Sequence, residues 1–340
     1  MQESRVDLTS SEIASLWTSY NNNSMSIQIL RYLLSTVEDA DIKTMIEIGH
    51  SISDHHLEQI EAILQAEKIP VPTGFSASDV NLNAPRLYTD HFMLNYVNHM
   101  SKAGLLGYSG FLSLSAREDI RKFFKDTLIK TSELFDESAA LLLQKGLYVR
   151  APFIDYPKQK DFVDSKRYFK GLNPFSNKRP LNAVEISHLH LNFQNNIVGI
   201  KLATSFAQSS PRKEVQKLLL RGKEISEKHV KVFSDTLIKN NIQSPVNADS
   251  SITNSTAQVF SDKLVMFHMG MLTAAGTGNY ATAAAASQRN DLILNYERLS
   301  LEIAQYAKDI ANLMIDNEWL EQPPGTMDKE QLIYQKKQNE

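Results

Sequence analysis

Apolar residues recur along this chain at spacings of three and four, the signature of amphipathic helices. Ile13, Leu16, Tyr20, Asn23, Ile27, Leu30 and Leu34 form one such seam, and Thr9-x-x-Glu12 ahead of it has the spacing of a capping box. A second helix is predicted from about Asp41 to Lys68, with Ile42, Met45, Ile46, Gly49, Ile52, His56, Ile60 and Ile63 on one side, stopping before Pro70 and Pro72. The third segment, about Pro85 to Leu114, opens aromatic and turns small at Gly104, Gly107 and Gly110. Such small residues suit close helix approach, and a kink or break is expected at these glycines. A fourth helix from about Arg117 to Lys145 carries Ile120, Phe124, Leu128, Leu134, Ser138 and Leu141. No period-two alternation competes, so the expected class is all-α.

The same pattern is written twice. An offset of 173 brings Leu8 to Pro72 onto Leu181 to Pro245 without a gap, with 14 of 65 pairs identical, where chance gives roughly four. Among them are Leu8/Leu181, Glu12/Glu185, Asn23/Asn196, Gly49/Gly222, His56/His229, Leu64/Leu237 and Ile69/Ile242. An offset of 172 then matches Gly104 with Gly276, Tyr108 with Tyr280, Arg117 with Arg289 and Asp119 with Asp291. A repeat of this length is large enough to close its own core. We read a tandem duplication of a four-helix bundle: 1–150 the first, 151–180 a linker, 181–322 the second, and 323–340 a polar C-terminal tail. The linker holds Phe153, Tyr156, Phe162, Tyr168, Phe169 and Phe175, an aromatic content expected to lay it down on the bundles. The long gap between the second and third helices suggests a ferritin-like bundle with a crossover. Packing of the two bundles about a pseudo-twofold axis is expected, as for a fused homodimer.

Composition narrows the chemistry. The net charge of -3 is small and evenly spread, which argues against nucleic acid or an anionic membrane as partner. With no cysteine, thiolate sites and disulfides are excluded. The opening stretch is polar, and no uninterrupted apolar run reaches ~18 residues, so a cytoplasmic protein is expected.

Ferritin-like oxidases set Glu and Glu-x-x-His groups on facing helices to hold two irons. Glu47-Ile48-Gly49-His50 has that form, with Asp54 and His56 nearby. At ~100° per residue, however, Glu47, His50 and Asp54 point roughly 110° to 190° away from the apolar side. The second copy reads Leu220-Arg221-Gly222-Lys223 there, so no complete di-iron set can be assembled. Glu47, His50, Asp54 and His56 are left as metal candidates, for iron or another divalent ion, with His56 and His229 the pair an atypical site would use; no cofactor is the favoured reading. What both copies keep is Asn23/Asn196 and His56/His229 on the apolar seams. A buried amide or imidazole needs a partner, so an Asn-to-His hydrogen bond, direct or through one water, is expected in each bundle. It would either fix helix register or mark a repurposed centre. Gly276-Thr277-Gly278 lacks the strand and Lys-Ser/Thr of a phosphate loop, and no catalytic triad or carboxylate pair emerges.

The doubled motif Leu-x-x-x-Glu-Ile-x-x-Leu, Asn-Asn, Gly-x-x-Ile-Ser-x-x-His and a closing Pro resembles a family of tandem-bundle proteins of spore-forming Gram-positive bacteria. That family is itself distantly similar to spore coat protein F. The resemblance implies a ferritin-like pair of bundles and a link to sporulation or stress. The first hypothesis is a non-enzymatic structural or interaction protein; the alternative is a metal-binding or metal-dependent oxidoreductase of ferritin-like type with an atypical site.

Overall fold

A computed structural model describes residues 6–172, 178–245, 251–327 and 329. Eight α-helices are present among them: α1 (Ser10–Thr36), α2 (Ala40–Ala66), α3 (Asp90–Leu114), α4 (Glu118–Gln144), α5 (Ala183–Ser209), α6 (Lys213–Ile238), α7 (Asp262–Ala286) and α8 (Asn290–Asp316). The helices pair as hairpins across three-residue turns, as in Val37 to Asp39 and Ser210 to Arg212.

Capping chemistry sets the helix ends. Thr9 with Glu12 and Asn182 with Glu185 form complete capping boxes on α1 and α5. The same two carboxylates reach further. Glu12 also accepts from the backbone N–H groups of Ala116 and Arg117 at 2.9 and 2.7 Å, and Glu185 from Gln288 and Arg289 at 3.1 and 3.0 Å. Each glutamate thereby ties together two helix starts, and α4 and α8, whose own N-cap arginines supply no side-chain cap, borrow one. At the far ends of α2 and α6, Lys68 and Asn241 adopt positive φ, and Ile69 and Ile242 donate back to the carbonyls of Leu64 and Leu237. This is a Schellman closure with its apolar clasp. It explains why Leu64/Leu237 and Ile69/Ile242 are identical pairs.

These tethers also give the chain path. Glu12 holds the start of α1 beside the start of α4, whereas Asp90 at the start of α3 accepts from the backbone of Glu38 and Asp39 at the opposite end. Residues 67–89 therefore run back along the bundle, and α2 and α3 descend in the same direction. The helices run up, down, down, up.

The two copies meet through these crossovers, antiparallel. Val80 pairs with Phe260, and Tyr88 with Ile252; Asn81 donates to Val259 and Thr253 to Leu87; Thr89 donates to Ser251 and Ser261 to Asp79. Exchanging the copies turns each bond into its partner, which is the property of an isologous contact. Across the same axis Tyr96 of α3 meets its own counterpart, His268 of α7, hydroxyl to Nε2 at 2.9 Å.

The largest core cluster is built from both copies, joining Met25, Ile29, Tyr88 and Phe92 to Leu202, Phe206, Phe260 and Met269. Only the distal ends have separate cores, around Leu16 and Phe124 in one copy and Phe193 and Tyr296 in the other. The expectation that each copy closes a core alone is corrected accordingly. The helices α3 and α7 also run unbroken through Gly104, Gly107, Gly110, Gly276 and Gly278, because intact i to i-4 bonding tolerates glycine where neighbouring helices supply the stability. In the linker, Tyr168 stacks under the Arg179 guanidinium at 3.9 Å, but Phe153, Tyr156 and Phe162 are exposed rather than laid down. Phe175, residues 330–340 and the first five residues lie outside the described residues. No helix among those described is long and apolar enough to cross a membrane.

Candidate functional site

Halfway along each bundle a polar layer interrupts the apolar seam. In the second copy it is continuous. Asn196 Nδ2 donates to the Asn192 carbonyl at 2.7 Å and to the Tyr280 hydroxyl at 2.7 Å; that hydroxyl lies 2.8 Å from His229 Nδ1, and His229 Nε2 lies 3.3 Å from Glu302. Glu302 is also paired with Lys228 and Arg298. Burial works to raise its carboxyl pKa, but the contacts with Lys228 and His229 outweigh it and hold the pKa below the ordinary value. As a carboxylate Glu302 can only accept, so Nε2 carries the imidazole proton and Nδ1 is left as an acceptor. The Tyr280 O–H must then donate to Nδ1. Burial pushes His229 down to about 4, with Glu302 only partly opposing, so the ring is neutral near pH 7.

The first copy keeps half of this layer. Asn23 Nδ2 donates to Ser19 at 2.8 Å and to the Tyr108 hydroxyl at 3.2 Å. His56 is 1% exposed, yet neither ring nitrogen has a hydrogen-bond partner. Its ring instead stands edge-on to Tyr108 and Phe123, centroids 5.9 and 6.0 Å away. The acid that partners His229 is absent here: the position of Glu302 is occupied by Lys130, and burial together with Lys130 drives His56 down to about 4.

The expected Asn-to-His contact is therefore corrected. A tyrosine hydroxyl, neither water nor a direct bond, joins Asn196 to His229, and in the first copy the join is missing. Tyr108/Tyr280 had already stood out as an identical pair; that was the available signal. Glu302 gave none, because its counterpart is a lysine.

The metal candidates do not converge. Glu47 and Asp54 are exposed, Glu47 faces Lys43 at 3.9 Å, and His50 is half-buried on the outer side, while His56 points inward. Among the described residues no group of three or more His, Asp or Glu is assembled that could hold a metal.

Beside the polar layers, between the copies, lies a cavity of about 660 Å3. It is bounded by the small-residue faces of α3 and α7 and reaches His56, Asn23, Tyr280 and Tyr306. Five of the fourteen identical pairs, Gly49/Gly222 and Ser53/Ser226 among them, line it from both sides. The glycines thus serve two ends. A Cβ on Gly104 would lie 3.0 Å from Thr131 of α4, a close approach, whereas one on Gly278 would meet nothing within 4 Å and one on Gly107 only Phe111 at 4.0 Å.

No curated protein matches the chain. Among solved structures it is similar to a protein of Bacillus halodurans C-125 provisionally described as a spore coat protein, at 20% identity and a TM-score of 0.38, over 46% of this chain and 98% of that one. One family model matches twice in succession, over residues 1–159 and 169–332. The chain belongs to that family, described as protein of unknown function DUF3231, and carries its domain in two copies.

Proposed function

We propose that the chain is a non-catalytic structural or interaction protein linked to sporulation or stress, a fused pair of ferritin-like bundles. The observation that carries the non-catalytic reading is the closed hydrogen-bond chain of the second copy. Both nitrogens of His229, the hydroxyl of Tyr280 and both N–H groups of Asn196 are consumed within the protein, so this layer presents no free imidazole nitrogen or phenolic proton to a substrate. Such a layer fixes the register of long helices, since any slip would strand several buried polar groups. The up-down-down-up path with a long return supports the ferritin-like bundle type. The resemblance of both copies' motifs to a tandem-bundle family of spore-forming bacteria, itself distantly similar to spore coat protein F, supports the sporulation link.

Two measurements test this reading. A fluorescent fusion followed through sporulation should rise and concentrate at the developing spore; a constant, diffuse signal would remove the sporulation link. Protein purified without chelator should hold no stoichiometric metal and show no oxidation-linked absorbance change when iron and oxygen are added. Either signal would overturn the non-catalytic reading.

A further inference from the structure

The cavity between the copies has an uneven chemistry. Most of its wall is apolar or small, and among the described lining residues there is no aspartate or glutamate. The one ionic side chain is Lys102 of α3, whose ammonium group stands 5.9 Å from the ring centroids of Phe135 and Tyr148. No carboxylate among the described residues forms an ion pair with it, and burial draws its pKa below the ordinary lysine value. A half-buried cation facing aromatic rings rather than an anion is an incomplete arrangement. Two further groups on the same wall are incomplete. Both nitrogens of His56 and the hydroxyl of Tyr306 are buried without a partner.

We infer that this cavity binds an amphipathic carboxylic acid of the long-chain fatty-acid class, its carboxylate on Lys102 and its hydrocarbon along the faces of α3 and α7. The volume is within the range of sites that enclose ligands of this size. Charge selects the sign of the head group: a lone cation and no acid on the wall favour a monoanion and repel an amine. Gly107 and Gly278 fit the same assignment, since their missing side chains leave space that no neighbouring helix fills. His56 and Tyr306 offer hydrogen bonds further along, suited to a hydroxyl or a bound water. The inference is independent of the structural role proposed above, which concerns the closed layer around His229.

The test uses cis-parinaric acid, a fluorescent long-chain carboxylic acid, and its methyl ester with the full chain. The acid should bind saturably at one site per chain and be displaced by palmitate. Lys102→Met keeps the apolar stem over the rings and removes the charge; it should weaken the acid tenfold or more while leaving the ester unchanged. Gly278→Leu, with Gly107→Leu as a second route, should block both probes without lowering the melting temperature. Absence of saturable binding by the unaltered protein, equal affinity of acid and ester, or an undiminished Lys102→Met variant would each overturn the inference.

Discussion

Replacing Tyr280 with phenylalanine removes a single oxygen, and the structure says what that oxygen holds. Asn196 Nδ2 donates to it at 2.7 Å, and it donates to His229 Nδ1 at 2.8 Å. After the change Asn196 keeps its bond to Asn192 but loses its second, and Nδ1 of a fully buried ring is left bare. A buried group stripped of its partner costs about 1–3 kcal/mol, so two such groups place Tyr280→Phe at about 2–6 kcal/mol. Tyr108→Phe is the internal control. Only one bond of 3.2 Å is lost there, Asn23 keeps Ser19, and His56 is not involved; the expected loss is about 1 kcal/mol. Urea unfolding followed by far-UV circular dichroism measures both. Because the main core is shared between the copies, one transition with an unchanged m-value is expected for each variant. Equal losses for the two variants, or a larger one for Tyr108→Phe, would refute the assignment of Tyr280 as the bridge.

Acid should destabilise the fold well before its carboxylates are protonated. Burial holds His56 and His229 at about 4 and His268 at about 3, against 6.5 when exposed; the unfolded chain therefore takes up protons first. Stability is complete above pH 6.5 and falls as the pH drops toward 4, by about 2 kcal/mol per histidine at pH 5. Urea midpoints at pH 7.5, 6 and 5 would show this, and a flat profile would contradict it. Lys130→Glu places a carboxylate where the second copy has Glu302. Nuclear magnetic resonance titration should then find the His56 pKa raised by about one unit or more, and no movement would separate the two positions in space. Glu12→Ala should cost about 2–4 kcal/mol, since three backbone N–H groups at two helix starts lose their acceptor; calorimetry should find a clear fall in melting temperature, with Glu12→Gln intermediate.

Helix content and most helix ends were legible because they are local. The Thr9-x-x-Glu12 and Asn182-x-x-Glu185 spacings mark helix starts directly. The second task of each glutamate, capping a helix about a hundred residues away, leaves no local trace; only its recurrence in both copies hinted at something beyond one cap. Similarly, Asn23, His56, Asn196 and His229 could be placed on inward faces from periodicity. Their bonding depended on which side chain of a third helix arrived between them. The glycines of α3 and α7 misled for a related reason. Periodicity shows which face carries small residues, but whether a given glycine is met by a packed helix, as Gly104 is by α4, or left open, as Gly278 is, depends on how the helices dock.

The duplication also explains a feature that neither copy could have alone. In a homodimer, a residue on the twofold axis meets itself, so a tyrosine faces a tyrosine and a histidine a histidine. Two identical buried hydroxyls at contact distance can share only one of their two protons, which leaves a donor idle. Two identical neutral imidazoles can share one bond but strand two further ring nitrogens, one more than a tyrosine paired with a histidine. Fusion lifts that restriction, because the two positions become separate codons. Here they are Tyr96 and His268, 172 residues apart, joined by a single bond of 2.9 Å. His268, held neutral by burial, bonds to the Tyr96 hydroxyl through Nε2, while Phe206 closes edge-on over the imidazole and Nδ1 stays buried without a partner. The same freedom separates Lys130 from Glu302. Separate codons thereby allow Glu302 beside a bonded His229 in one copy and Lys130 beside a His56 whose bare nitrogens border the cavity in the other.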